Sequence, residues 1–161
     1  MIWKTEEISK ITPMKIETDS ISKLFQFDHF FFSNALSSEG FLELKKYNIQ
    51  AVVDFRKPHE AAEDDAEEAS KVGATYDNCP VSSRLAITCD SLEEADSVIM
   101  NKAKTNILLY CASGNRAAAW FAAHLNKHYD ISIEESVQLA KSVGLDKEQT
   151  EFALRDFFSN L

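Results

Sequence analysis

The sequence predicts an α/β fold, a mostly parallel central sheet covered by helices on both faces. Two patterns carry the expectation. Apolar runs of strand length alternate with stretches of helical periodicity through the middle of the chain, and the last part holds three helical stretches with no strand signal between them. With 161 residues, 45% hydrophobic content and only four Gly and three Pro, the chain has enough apolar surface for one compact core. The expectation is one domain over residues 1–161, with roughly the first 25 residues as an extension of it. Internal repeats and low-complexity segments are absent from the sequence.

Taken in order, His29-Phe-Phe-Phe32 is a short apolar run, and Ser38 to Tyr47 carries Phe41, Leu42 and Leu44 at helical spacing. Ile49 to Phe55 reads as a strand buried on both faces. A helix is expected through the acidic segment to about Val72, with Gly73 placed as its C-terminal cap. Ala74 to Val81 reads as a strand ending at Pro80. Ser91-Leu-Glu-Glu94 has the spacing of a capping box, and Leu92, Ala95, Val98 and Ile99 form the apolar face of the helix it opens. Asn106 to Tyr110 is a further buried strand. Three helices follow: Arg116 to His128, a second from the capping box Ser132-Ile-Glu-Glu135 to Val143 before Gly144, and a third from Asp146 to about Phe158. Phe30, Phe31, Phe32, Trp120 and Phe121 are read as core.

The formal charge of -9 argues against a nucleic-acid backbone or an anionic membrane as partner. Much of that charge lies between Glu60 and Glu68, which reads as a solvated helix face. No apolar run is long enough to span a bilayer, and Met1-Ile-Trp-Lys-Thr-Glu-Glu7 lacks the basic-then-apolar order of a secretion signal. A cytoplasmic location is expected, although a leader already removed would leave no trace here. Cysteines at 79, 89 and 111 make neither a disulfide framework nor a zinc pattern. His124 and His128 are spaced i,i+4 without further ligands in sequence, and His29 and His59 show no ligand spacing, so neither metal nor cofactor is expected.

Chemistry concentrates in Asn106-Ile-Leu-Leu-Tyr-Cys111-Ala-Ser-Gly-Asn-Arg116-Ala-Ala-Ala-Trp120, a buried strand, a short polar loop and a helix. A cysteine there lies under backbone N–H groups at a helix N-terminus, which bind anions and favour thiolate over thiol. Arg116 adds a fixed positive fork suited to a tetrahedral oxyanion. A cation in a first helical turn is unfavourable by about 0.3–1 kcal/mol, so an anion is expected to offset it. Cys79 and Cys89 read as core or loop thiols, with a resolving role open to Cys89, and Arg56 and Arg84 as surface or salt-bridged side chains.

The loop resembles the active-site loop of rhodanese-type sulfurtransferases, which begins with cysteine and often carries glycine three residues on. It also resembles that of the cysteine-dependent phosphatases, where five residues usually separate cysteine from arginine; here four intervene. Loop length favours the sulfurtransferase. The following helices favour the phosphatase, because rhodanese domains continue into a further strand, and Ile131 to Ala140 looks like the second helix after the loop in dual-specificity phosphatases. From about Phe31 to Phe158 the order of features resembles the phosphatase-like domain called beta-lactamase hydrolase-like, a bacterial family also described as phosphatase or sulfur transferase. The residues carrying this are Ser38 to Ile49, Val52-Val-Asp-Phe-Arg56 with Glu60, Cys79-Pro-Val81, and Tyr110 to Trp120. The family's loop also has four residues between cysteine and arginine, with Ser-Gly in the middle. The resemblance implies a three-layer phosphatase-like fold with three helices after the active-site loop.

The sequence departs from these families at several positions. Tyr110 precedes the cysteine where His is common, and Ala112 replaces a frequent arginine. Ala117 stands where classical phosphatases carry a Ser or Thr hydroxyl that assists the second step. The general acid expected beyond Pro80 is missing from Ser82-Ser-Arg-Leu-Ala86, which leaves Asp54, Asp77 and Asp90 as candidates.

The function expected is therefore a phosphatase in which Cys111 forms a phosphocysteine on an unknown phosphoester, a small anionic molecule or a phosphoprotein. Arg116 clamps the developing charge, and the N–H groups from Ala112 through Ser113, Gly114 and Asn115 to Arg116 bind the oxygens. Two alternatives stand beside it: sulfur transfer through a Cys111 persulfide, which needs no general acid, and a non-catalytic module that binds a phospho-ligand.

Overall fold

The computed structural model describes residues 2–61, 64–81 and 87–161. Six strands form one sheet in the order β1-β2-β3-β6-β4-β5. They are β1 (Met14–Lys15), β2 (Leu24–Phe27), β3 (Phe30–Ser33), β4 (Ile49–Asp54), β5 (Thr75–Asn78) and β6 (Asn106–Tyr110). The pairs β3·β6, β6·β4 and β4·β5 are parallel, whereas β1·β2 and β2·β3 are antiparallel. The mostly parallel α/β sheet read from the sequence is therefore present, with an antiparallel edge added by β1 and β2.

Side chains alternate across the strands, so each face has its own core. On one face Phe30, Phe32, Val53, Phe55, Leu109 and Cys111 pack with α4 (Cys89–Met100), α5 (Asn115–Tyr129), α6 (Ile133–Ser142) and α7 (Glu148–Ser159). On the other, Phe31, Val52, Leu108 and Tyr110 pack with α2 (Ser38–Glu43), a following 3-10 turn (Leu44–Tyr47) and α3 (Asp65–Lys71). The short α1 (Thr5–Ile8) places Ile8 in the first core, beside Trp3. The Tyr129 hydroxyl accepts from the N–H groups of Ile2 and Trp3 at 2.8 and 3.1 Å, which seats the N-terminal segment on α5. Phe30, Phe31, Phe32, Trp120 and Phe121 are all buried.

Several local expectations need correcting. The acidic segment is not one helix: residues 57–60 form a turn and α3 begins only at Asp65. Glu60 and Asp65 consequently leave the solvated face assigned to them. Helix α4 is capped by Thr88, whose hydroxyl accepts from Ser91 N–H while the Ser91 hydroxyl accepts from Thr88 N–H. The box thus lies three residues before the Ser91–Glu94 pattern. The strand expected from Ala74 to Val81 is regular only over Thr75–Asn78, with the Cys79 and Val81 N–H groups still bonding the Asp54 and Phe55 carbonyls beyond it. Other terminal signals hold: Ser132 accepts from Glu135 N–H at 3.1 Å, and Gly73 and Gly144 follow their helices with φ of +79° and +121°.

Candidate active site

Strand β6 is central, and its last residue Tyr110 is in register with Ser33 of β3 and Asp54 of β4. Cys111 therefore emerges at the carboxyl ends of parallel strands, where open α/β sheets leave a crevice. Its side chain is fully buried on the face covered by α5. The chain then turns through Ala112 and Ser113 to Gly114, whose φ of +87° and ψ of −12° reverse it into α5. A Cβ at Gly114 would stand 3.3 Å from the Ser33 carbonyl oxygen in a conformation L side chains avoid, so glycine is required on both counts. Gly114 N–H donates to Cys111 Sγ at 3.1 Å. The first N–H groups of α5 have no helical acceptor and face the same end.

Arg116 occupies the first turn of α5 and is nearly buried. Its Nη1 donates to Glu60 Oε1 at 3.1 Å and to the Val81 carbonyl at 2.9 Å, and its Nη2 to Glu60 Oε2 at 2.8 Å. Three of five guanidinium N–H groups are thereby fixed. The two that remain, on Nε and Nη2, lie parallel along one edge and fit two oxygens of an oxyanion. Burial opposes the charge on Arg116, and its contacts with Glu60 and Cys111 more than restore it, so its pKa is raised. Arg116 in turn holds the Glu60 carboxyl below its ordinary range. Glu60 is the anion that offsets a cation at a helix N-terminus, and it is ionised rather than poised to donate a proton.

The side chains of the other loop residues have separate tasks. Asn115 is buried and its side chain is committed to the segment before α7: Nδ2 donates to Asp146 Oδ1 at 2.9 Å, and Oδ1 accepts from the N–H groups of Asp146 and Lys147 at 2.9 Å each. Ser113 Oγ accepts from Asn115 Nδ2 at 3.1 Å. Ala112 is exposed, and its carbonyl accepts from Ala35 N–H at 3.3 Å.

Tyr110, the residue before the cysteine, points to the opposite face of the sheet. Its hydroxyl donates to Asp65 at 2.6 Å, and Arg56 bridges Asp65 to Asp54. Asp54 also accepts from the Tyr76 hydroxyl at 2.7 Å and from Arg56 N–H at 3.0 Å. Burial, with the charges of Asp54 and Asp65, raises the Tyr110 pKa, so the phenol stays neutral. Arg56 is thus a buried structural ion pair that fixes the end of β4 and the turn bearing Glu60. Arg56→Met leaves two buried carboxylates without their cation and is expected to cost about 3–5 kcal/mol, read from denaturant unfolding.

The general-acid candidates fall in different places. Asp54 is saturated by Arg56 and Tyr76 on the face away from Cys111. Asp77 lies on edge strand β5, 3.6 Å from Lys102. Asp90 is exposed in the first turn of α4. The stretch 82–86, with Arg84, lies outside the described residues. Cys79 and Cys111 flank Phe55 of the intervening chain, since Phe55 N–H bonds the Tyr110 carbonyl and the Phe55 carbonyl accepts from Val81 N–H. Two strand spacings of about 4.8 Å exceed the roughly 7 Å Cα limit for a disulfide. Burial pushes the Cys79 thiol up to about 12, which keeps it protonated. Cys89 is exposed.

Among the described residues, Asp96, His124 and His128 bring ligand-type atoms within 4.8 Å of one another. The histidine pair was visible in sequence; its carboxylate partner, from α4, was not. Asp96 Oδ1 accepts from Trp120 Nε1 at 3.1 Å and pairs with His124 Nδ1 at 3.0 Å, while Oδ2 pairs with His128 Nε2 at 2.8 Å. A cation on His124 Nδ1 would put the ring proton on Nε2, which is buried without a hydrogen-bond partner. The three residues therefore read as a polar clamp between α4 and α5. Burial lowers the His124 pKa from 6.5 despite the pull of Asp96. Burial alone would raise Asp96, and the two imidazoles reverse this, so its pKa is lowered. For both groups the unfolded chain binds protons first, so the contribution of each is full near neutrality; that of His124 falls as pH drops below about 6.5 and that of Asp96 only below about 3.8. His124→Asn keeps a donor to Asp96 but no ionisable ring; thermal melts between pH 7 and 5 are expected to start lower and decline less steeply than those of the wild type.

The fold and loop define a class, the cysteine-loop phosphatases. Residues 32–144, most of the chain, match the model of the tyrosine phosphatase family, and the chain belongs to that family. Solved structures agree on the fold. Tk-PTP in its active form is 17% identical with a TM-score of 0.67, covering 82% of this chain and 92% of that one. A DUF442 protein from Shewanella putrefaciens CN-32 is 16% identical at 0.68, covering 90% and 97%. Pseudomonas aeruginosa TpbA, a cysteine-to-serine variant in complex with phosphotyrosine, is 14% identical at 0.69, covering 88% of each chain. No curated protein sequence matches the chain. No helix among the described residues is long and apolar enough to cross a membrane.

Proposed function

We propose that the chain is a cysteine-dependent phosphatase acting on a phosphomonoester through a phosphocysteine at Cys111. The observation that carries this is the convergence of Cys111 Sγ, the Gly114 N–H at 3.1 Å and the uncommitted edge of Arg116 at the N-terminus of α5. In the first step the thiolate attacks phosphorus in line; the S–P bond forms, and the P–O bond to the leaving group breaks with its electron pair on that oxygen. In the second, water attacks phosphorus, the S–P bond breaks, and the thiolate and inorganic phosphate are regenerated. Arg116 and the loop N–H groups carry the charge on the non-bridging oxygens in both steps.

Asp54 is withdrawn to the other face and residues 82–86 contain no carboxylate, so neither supplies an acid for a poor leaving group. Aryl phosphates, whose leaving oxygen departs as a stabilised anion, are the substrate class this favours. Ala117 offers no hydroxyl to the second step, which leaves hydrolysis of the intermediate to water. The four-residue spacing and the absent acid also favour sulfur transfer, which needs no protonated alkoxide.

The test is to incubate reduced protein with an aryl phosphate and, separately, with thiosulfate plus cyanide. Phosphate release with no thiocyanate supports the phosphatase. Thiocyanate and one added sulfur on Cys111, without phosphate release, would replace it by the sulfurtransferase. Silence in both with retained oxyanion binding would leave a binding module.

A further inference from the structure

We propose that Lys23 is a positioning residue of the catalytic loop: its ammonium fixes the Ser113–Gly114 peptide so that the Gly114 N–H points at the Cys111 sulfur. This rests on the reading of Cys111 as the nucleophile. Lys23 precedes β2, 90 residues before Ser113 and outside the segment that matches the family. Its Nζ donates to the Ser113 carbonyl at 2.7 Å and to the Gly144 carbonyl at 2.8 Å, and pairs with Asp146 Oδ2 at 2.9 Å. The side chain is only 19% exposed, so these partners replace most of the water an ammonium would hold.

The peptide group is planar, and the carbonyl of Ser113 and the N–H of Gly114 point in opposite directions across it. Anchoring the oxygen at Lys23 therefore aims the hydrogen at Sγ, where the 3.1 Å contact is found. Gly114 has the backbone freedom to rotate this peptide, and a half-turn would set a carbonyl dipole against the thiolate. The anchor is itself held: Asp146 binds both Lys23 and Asn115, and Asn115 binds Ser113 Oγ. The start of β2, the catalytic loop and the α6–α7 junction thus close one polar ring behind the proposed anion site. The cations facing the sulfur are Arg116 from α5 and, through this peptide, Lys23; Glu60 lies beyond Arg116.

The experiment measures the rate of iodoacetamide alkylation on the Cys111 peptide against pH, with orthovanadate affinity and thermal unfolding alongside. Lys23→Met keeps the apolar stem and removes the donors. It is expected to raise the pH midpoint of Cys111 alkylation by about one unit and weaken vanadate binding about tenfold, with Lys23→Arg recovering part of both. Asp146→Ala separates positioning from simple charge and serves if Lys23→Met does not fold. Removing an anion would lower the midpoint through space, whereas releasing Lys23 and Asn115 raises it. A folded Lys23→Met with an unchanged midpoint, or an Asp146→Ala midpoint that falls, overturns the proposal. Alkylation needs no turnover, so the result is independent of whether the phosphatase reading itself survives.

Discussion

Replacing Cys111 by serine is expected to lower aryl phosphate turnover by about four orders of magnitude or more, while the protein still binds inorganic oxyanions within about tenfold of the wild type. A serine hydroxyl stays protonated where a loop-bound thiolate is ionised, so the attacking electron pair is lost. Everything that binds the oxyanion remains. Gly114 N–H can still donate to the smaller oxygen, Arg116 keeps its bonds to Glu60 and Val81 when the sulfur is gone, and Asn115 keeps its contacts with Asp146. Initial rates and orthovanadate titration on the two proteins make the comparison. Loss of vanadate binding as complete as the loss of turnover would mean that the sulfur organises the loop, not that it attacks phosphorus.

The second large effect is at Arg116. Arg116→Lys keeps the charge but cannot serve Glu60, Val81 and a substrate together, because the ammonium has three donors and no planar fork. The loss expected is about 10²–10³ in kcat/KM, the size seen when a preorganised oxyanion donor is removed. Glu60→Gln gives the contrast: the guanidinium keeps its position through Val81 but loses its ionic partner, and a smaller loss of about tenfold or less, mainly in KM, is expected. Equal losses in the two variants would place the substrate contact on Glu60's side of the pair.

The loop could be read in the sequence because its signal is local. An apolar run, a cysteine, a glycine and a helix-forming stretch follow each other within fifteen residues of chain, Asn106 to Trp120. What surrounds it could not be read in the same way. The charge run from Glu60 to Glu68 hides two paired carboxylates, since pattern alone cannot show that Glu60 meets an arginine 56 residues later or that Asp65 meets Tyr110. The resemblance placed Glu60 near Arg56 but gave no partner for it. Strand β2 was not read beside the His29–Phe32 run, because the reversal at Asp28 between them is made by a non-glycine residue at φ +55° and leaves no turn signal. The α4 cap was misplaced because Thr88 and Ser91 can both cap, and only the geometry shows Thr88 leading. Lys23 and Asp146 carry no local signature at all.

The central claim is tested most directly by acid-quenching the reduced protein during turnover of an aryl phosphate and weighing the Cys111 peptide. With Ala117 in place of a hydroxyl, the proposed mechanism makes hydrolysis of the intermediate the slow step, so a burst of aryloxide and a phosphate-sized mass gain on Cys111 are expected. Sustained turnover with Cys111 never modified, or turnover undiminished in Cys111→Ser, would contradict it.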